Sequence, residues 1–157
     1  MALLNWLEAT GYSQWILVSA VGWPLMLSLH AFGLAIVVGV IFSLNLRMLG
    51  FFDTIPYTAL HGLLGIAWIG IAINTFTGLS IFMTQASDYV TNIPFLFKIL
   101  FIVLGIVNLV YTRKTLVREA PAWEAAGHAT QAGTTLAASS LVLWILAVVT
   151  GRLIAYL

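Results

Sequence analysis

The chain has no cysteine among its 157 residues. That excludes disulfides, thiolate metal sites, iron–sulfur clusters and haem attached through thioethers. Charge is almost as scarce. Six Lys and Arg and five Asp and Glu make up 7% of the chain, where soluble domains carry roughly 25%. With a net charge of +1, no broad basic patch argues for nucleic acid. Carboxylates are missing from every long apolar stretch: Glu8, Asp53, Asp88, Glu119 and Glu124 fall near ends or in connections. A proton-coupled carrier usually places a carboxylate at mid-membrane, so this lack counts against that class. No Gly-rich phosphate loop, metalloprotease helix or nucleophile elbow occurs. The first residues lack the Lys/Arg region of a cleaved signal peptide.

What is present is apolar. Hydrophobic residues are 62% of the chain and mean hydropathy is +1.07; this much apolar surface needs lipid as its solvent. Residues 1–10, MALLNWLEAT, place Leu3, Leu4 and Leu7 on one face with Trp6 beside them, which suits a short helix lying in the membrane interface before Gly11 breaks it. The first span lies within 15–46, with Gly22-Trp23-Pro24 as a kink or as its true start. The sequence predicts spans at about 22–46, 61–83, 94–112 and 132–155. Residues 85–92 read as a short polar loop, with Asn92 or Thr91 capping the third span and Pro94 in its first turn. Pro121 is expected to open the fourth helix. Four spans with short connections give an all-α fold: an integral membrane antiparallel four-helix bundle with a short N-terminal interfacial helix. Arg47, Arg113, Lys114 and Arg118 lie on one side, so the positive-inside rule puts both termini in the periplasm of a bacterial cytoplasmic membrane.

Titratable groups within such spans are costly and are functional candidates by default. His30 lies about 9 Å inside the first span if that span starts near Pro24, too deep for an imidazole to reach the surface. Asn74, Thr77, Lys98 and Arg152 fall near the same depth or the same edge, so the five residues are expected to form one polar cluster. Singly, Lys98 and Arg152 read as snorkelling cations; together they read as partners for a haem propionate or an anionic substrate. His61 and His128 fall on the opposite side at similar depth, where two imidazoles facing each other across a bundle have the chemistry to ligate haem iron. Arg47 is the propionate partner on that side. Glycines near His30 and His61 (Gly33 and Gly65) read either as helix-packing positions or as room for a flat cofactor.

The strings HAFGLAIVVG and LNLRMLG, then NIPFLFK, then the closing GRLIAY, resemble an uncharacterised bacterial family of small four-span membrane proteins. The likeness covers nearly the whole chain. It implies that His30, Arg47, Lys98 and Arg152 occupy the family's recognisable positions, and it differs at Asn45, where the family usually carries an acidic residue. More loosely, the arrangement is similar to b-type cytochrome membrane subunits and to the copper-resistance membrane protein family, which share four-helix units with buried histidines. The leading expectation is therefore a b-type-cytochrome-like protein holding haem b, with His30, His61 and His128 as candidate iron ligands. Lys98, Arg152, Arg47 and Asn74 are candidate cofactor contacts, and a redox protein or a quinone is the partner. The alternatives are a cofactor-free scaffold, for instance a homo-oligomer, or a small transporter or channel lined by His30 and Lys98.

Overall fold

A computed structural model describes residues 2–156. Seven helices run in order: α1 (Ala2–Glu8), α2 (Gly11–Val18), α3 (Gly22–Met48), α4 (Leu60–Thr84), α5 (Ala86–Thr91), α6 (Ile93–Ala126) and α7 (Gln131–Leu153), with one 3-10 turn at Tyr57–Ala59 before α4. Four stretches, Gly22–Met48, Tyr57–Thr84, Ile93–Ala126 and Gln131–Leu153, are long and apolar enough to cross a bilayer. This is the architecture of a multi-pass membrane protein. Its outer faces agree: Phe32, Ile69, Phe76, Val103 and Val142 are each more than half exposed, a distribution that water would penalise and acyl chains accept.

Helix boundaries follow from caps. Thr10 caps α2 through Ser13 N–H, so Gly11 opens a second short helix rather than ending the N-terminal structure. The Ser19 hydroxyl accepts from the N–H groups of Val21 and Gly22, each at 3.1 Å. Gly22-Trp23-Pro24 is thus the start of the first span, with Pro24 in the first turn, where its missing N–H costs nothing. At its far end α3 closes in a Schellman motif: Gly50 N–H bonds Arg47 O and Phe51 N–H bonds Leu46 O, both at 3.0 Å, with Gly50 at φ +97°. That left-handed position is why a glycine stands there. The Asn92 side chain accepts from Phe95 N–H at 2.9 Å and starts α6, as the sequence predicts.

One boundary differs from expectation. Pro121 lies inside α6, which continues to Ala126 and is capped by Gly127, and the fourth long helix starts at Gln131 behind a Thr130 cap. A helix of 34 residues is about 51 Å long at 1.5 Å per residue, well beyond a hydrocarbon core of about 30 Å. The carbonyl that Pro121 leaves without an N–H belongs to Val117, which is 59% exposed. Arg113, Lys114 and Arg118 flank it, as suits a turn beyond the hydrocarbon core, where water can take the place of the missing donor and the helix can run through. Residues 86–91 are likewise helical rather than loop.

α3 packs most extensively on α4, and α6 on α7; contacts of α3 with α7 and, more sparsely, α4 with α6 join these two antiparallel pairs into one bundle. Small residues set the close crossings. A Cβ on Gly33 would lie 2.7 Å from Asn74 Nδ2, and one on Gly70 would lie 2.8 Å from Val37 Cγ2. In the other pair, Gly105 receives the Trp144 indole and Gly133 receives Trp123. The core runs from Val37 through Leu44 and Leu64 to Leu116 and Trp123. Below, the two ends of the bundle are named for Lys98 and for Arg47.

Candidate functional site

At the Lys98 end the bundle opens into a cavity of about 420 Å³. His30 of α3, Gly78 and Phe82 of α4, Tyr89 of α5, and Phe95 and Lys98 of α6 line it, among others. His30 is eight residues, or about 12 Å, from the start of α3. Its orientation is fixed on both sides. The Thr77 hydroxyl donates its only proton to Ile73 O at 2.8 Å, so its oxygen accepts from His30 Nδ1–H at 2.9 Å. Asn74 Nδ2 donates to the His30 carbonyl at 3.2 Å. With Nδ1 carrying the proton, the neutral ring keeps its lone pair on Nε2. That atom has no hydrogen-bond partner among the described residues and is not sealed from its surroundings. The ring packs over Gly78, where a Cβ would sit in contact at 3.4 Å from His30 Cε1.

Lys98 enters the same cavity from α6. Its stem lies on α7, where a Cβ on Gly151 would be 3.4 Å from Cδ and Cε. Its amino group forms no ion pair among the described residues. Asp88 also lines the cavity, so one potential cation and one carboxylate share its walls. On the α5 side the wall is aromatic. Phe82 and Phe95 stack with centroids 5.6 Å apart, and Tyr89 lies 5.2 Å from Phe95. A clasp from the N-terminus holds α5 there: the Glu8 carboxylate accepts from both Ser87 N–H and Ser87 Oγ–H. These two bonds hold the Glu8 carboxyl below its ordinary value.

The structure therefore brings together His30, Asn74, Thr77 and Lys98, as the sequence predicts, and leaves Arg152 out. Arg152 is exposed, with its guanidinium 5.9 Å from the Tyr156 ring. Phe82, Asp88, Tyr89 and Phe95 are the residues that sequence reasoning missed. The one available signal was local: Asp88 three residues after Gln85 marks the first turn of a short helix.

The Arg47 end is different. His61 and His128 are both exposed, and the nearest recorded partner of the His128 ring is the adjacent carbonyl of Ala129 at 3.2 Å. Between the helices at that end the space is filled. Tyr57 and Trp123, each 1% exposed, meet edge to face at 5.6 Å, and Met48, Leu60 and Leu116 pack with them. Arg47 is buried and serves the connection after α3. It donates to Ile55 O at 2.5 Å and to Tyr57 OH at 3.0 Å, and its guanidinium lies 3.8 Å from the Tyr57 ring centroid. Glu124 of α6 accepts from Tyr57 N–H at 2.7 Å. Arg47 is thus a loop clamp, not a free cation awaiting a propionate.

These residues do not fit a haem. The expected imidazole pair faces outward on either side of a closed core. At the other end, His30 faces a cavity whose lining holds no second His and no Met. The glycines that a flat cofactor would need are filled or face outward: Gly33 and Gly70 by the opposing helix, Gly65 with nothing within 4 Å. Among the described residues no group of three or more His, Asp or Glu is placed to hold a metal ion. No family model matches the chain, and no curated protein or solved structure matches it either.

Proposed function

We propose that this small multi-pass membrane protein binds a lipophilic molecule with a hydrogen-bonding head group, in a carrier or receptor role, at the Lys98 end of its bundle. One observation carries the reading. His30 and Lys98 line the same cavity, and neither the His30 Nε2 nor the Lys98 amino group has a hydrogen-bond or ion-pair partner among the described residues. Leaving polar groups unpaired at helix depth costs free energy, and a ligand that pairs with both removes that cost. The cavity walls are mostly apolar, which suits a molecule arriving from the bilayer.

The test is native mass spectrometry of protein extracted with its surrounding lipid, alongside a Gly78→Leu variant. Leucine there fills the cavity from its wall, beside the His30 ring, and leaves Lys98 unchanged. Wild type is expected to retain a small molecule that the variant lacks. Equal retention by both, or by neither after loading with a lipid extract of the host, would remove the proposal. Electron transfer through haem b is the reading that this geometry disfavours. The purified protein is expected to lack a Soret band, and a Soret band after haem-supplemented expression would return His30 to iron ligation.

A further inference from the structure

Resting on the ligand site just proposed, we infer that its occupant is a phenol- or quinol-type ring whose hydroxyl bridges His30 and Lys98. The two polar groups ask for opposite things. His30 Nε2 offers only a lone pair, because the Thr77 oxygen takes the proton on Nδ1. Lys98 offers only N–H donors. A single group that donates to one and accepts from the other is a hydroxyl. A carboxylate or a phosphate diester accepts only, and would leave Nε2 unpaired. A carbonyl or an ether has the same defect.

Charge points the same way. Lys98 and Asp88 line the cavity together, so the walls carry no net positive charge to offset the desolvation of a full anion. A neutral hydroxyl polarised by the Lys98 amino group avoids that penalty. The aromatic wall then selects the carrier of the hydroxyl. Phe82, Tyr89 and Phe95 lie with centroids 5.2 to 6.1 Å apart, at mutual angles of 14° to 35°. They form a compact three-ring cluster in the cavity wall, against which a planar aromatic ring gains edge or offset contact, and a saturated ring or an acyl chain gains less. No electron or proton need leave the ligand for this binding.

The experiment uses the full chain in lipid nanodiscs with nitrogen-15-labelled histidine. Four probes share one alkyl tail: a 4-alkylphenol, its methyl ether, the 4-alkylcyclohexanol and the 4-alkylbenzoate. The phenol is expected to shift the Nε2 resonance of His30, to bind about tenfold or more tightly than the ether and the benzoate, the scale set by one hydrogen bond to a charged group, and to bind more tightly than the cyclohexanol through the aromatic wall. Lys98→Met should reduce the preference over the ether and the benzoate while the thermal transition stays within a few degrees of wild type. Gly78→Leu, with its own thermal transition also within a few degrees of wild type, should block all four probes. If the ether or the benzoate binds as well as the phenol, the bridging hydroxyl is wrong and the cavity proposal survives. If the cyclohexanol equals the phenol, the aromatic selection is wrong. If no probe binds wild type, the ligand site itself falls.

Discussion

Arg47 offers the sharpest separation between what its position in the sequence suggests and what the fold does with it. Replacing it with alanine removes two strong bonds, to Ile55 O and Tyr57 OH, and a third long one to Asp53 O at 3.5 Å. It also removes the cation over the Tyr57 ring. Hydrogen bonds to a charged donor are worth about 1.5–3 kcal/mol each. Ile55 and Asp53 are exposed, so water replaces much of their share, whereas the Tyr57 side is buried and is not rehydrated. A loss of roughly 2–4 kcal/mol follows for Arg47→Ala. Arg47→Lys keeps the charge but not the fork, so it should lose about half of that. The assay is reversible unfolding in mixed micelles, with the variants compared at matched detergent composition. Phenol-probe affinity should be unchanged in both, because the cavity lies at the opposite end of the bundle. Full stability in Arg47→Lys would show that the fork geometry is irrelevant. Lost probe binding in a folded Arg47→Ala would mean that the clamp reading is mistaken.

Three further outcomes are expected. Thr77→Val keeps the volume of a residue 1% exposed but removes the acceptor for Nδ1–H; the cost should be about 1 kcal/mol, between the membrane average and the soluble value for an orphaned donor. The His30 tautomer signal should then become mixed, and an unchanged nitrogen spectrum would refute the assignment. Gly33→Ala places a methyl 2.7 Å from Asn74 Nδ2 and 3.1 Å from the Asn74 backbone nitrogen, so α3 and α4 must separate, at about 1–3 kcal/mol; a neutral result would argue against close crossing there. The Glu8 carboxyl is held below its ordinary value by Ser87. Its contribution is therefore complete above that ordinary value and is lost as pH falls through the lowered one. Protection of the Ser87 amide, its exchange rate relative to the intrinsic rate at each pH, should fall over that acidic window in wild type and be low and pH-insensitive there in Glu8→Gln. Identical profiles would mean that the clasp does not hold α5.

Hydropathy and capping alone determined that the chain is all-α, that it has four long apolar helices, and that Asn92 starts the third of them. These are properties of local sequence, because a run of apolar residues and a cap each act within one or two turns. The same local logic failed at Pro121. Whether a proline ends a helix depends on what can satisfy the carbonyl it strands, and there the residue that carries it, Val117, is exposed. It failed again at residues 86–91, whose short helix depends on a carboxylate 79 residues away in sequence. The depth of His30, Asn74, Thr77 and Lys98 was countable from helix rise, and so their grouping was legible. Their facing was not, since rotation about a helix axis is set by the neighbour it packs on. Only the tertiary structure turned His61 and His128 outward, spent Arg47 on a loop, left Arg152 at the surface and brought three aromatic rings beside His30. Depth is a one-dimensional quantity that a sequence carries; direction belongs to the contacts between helices.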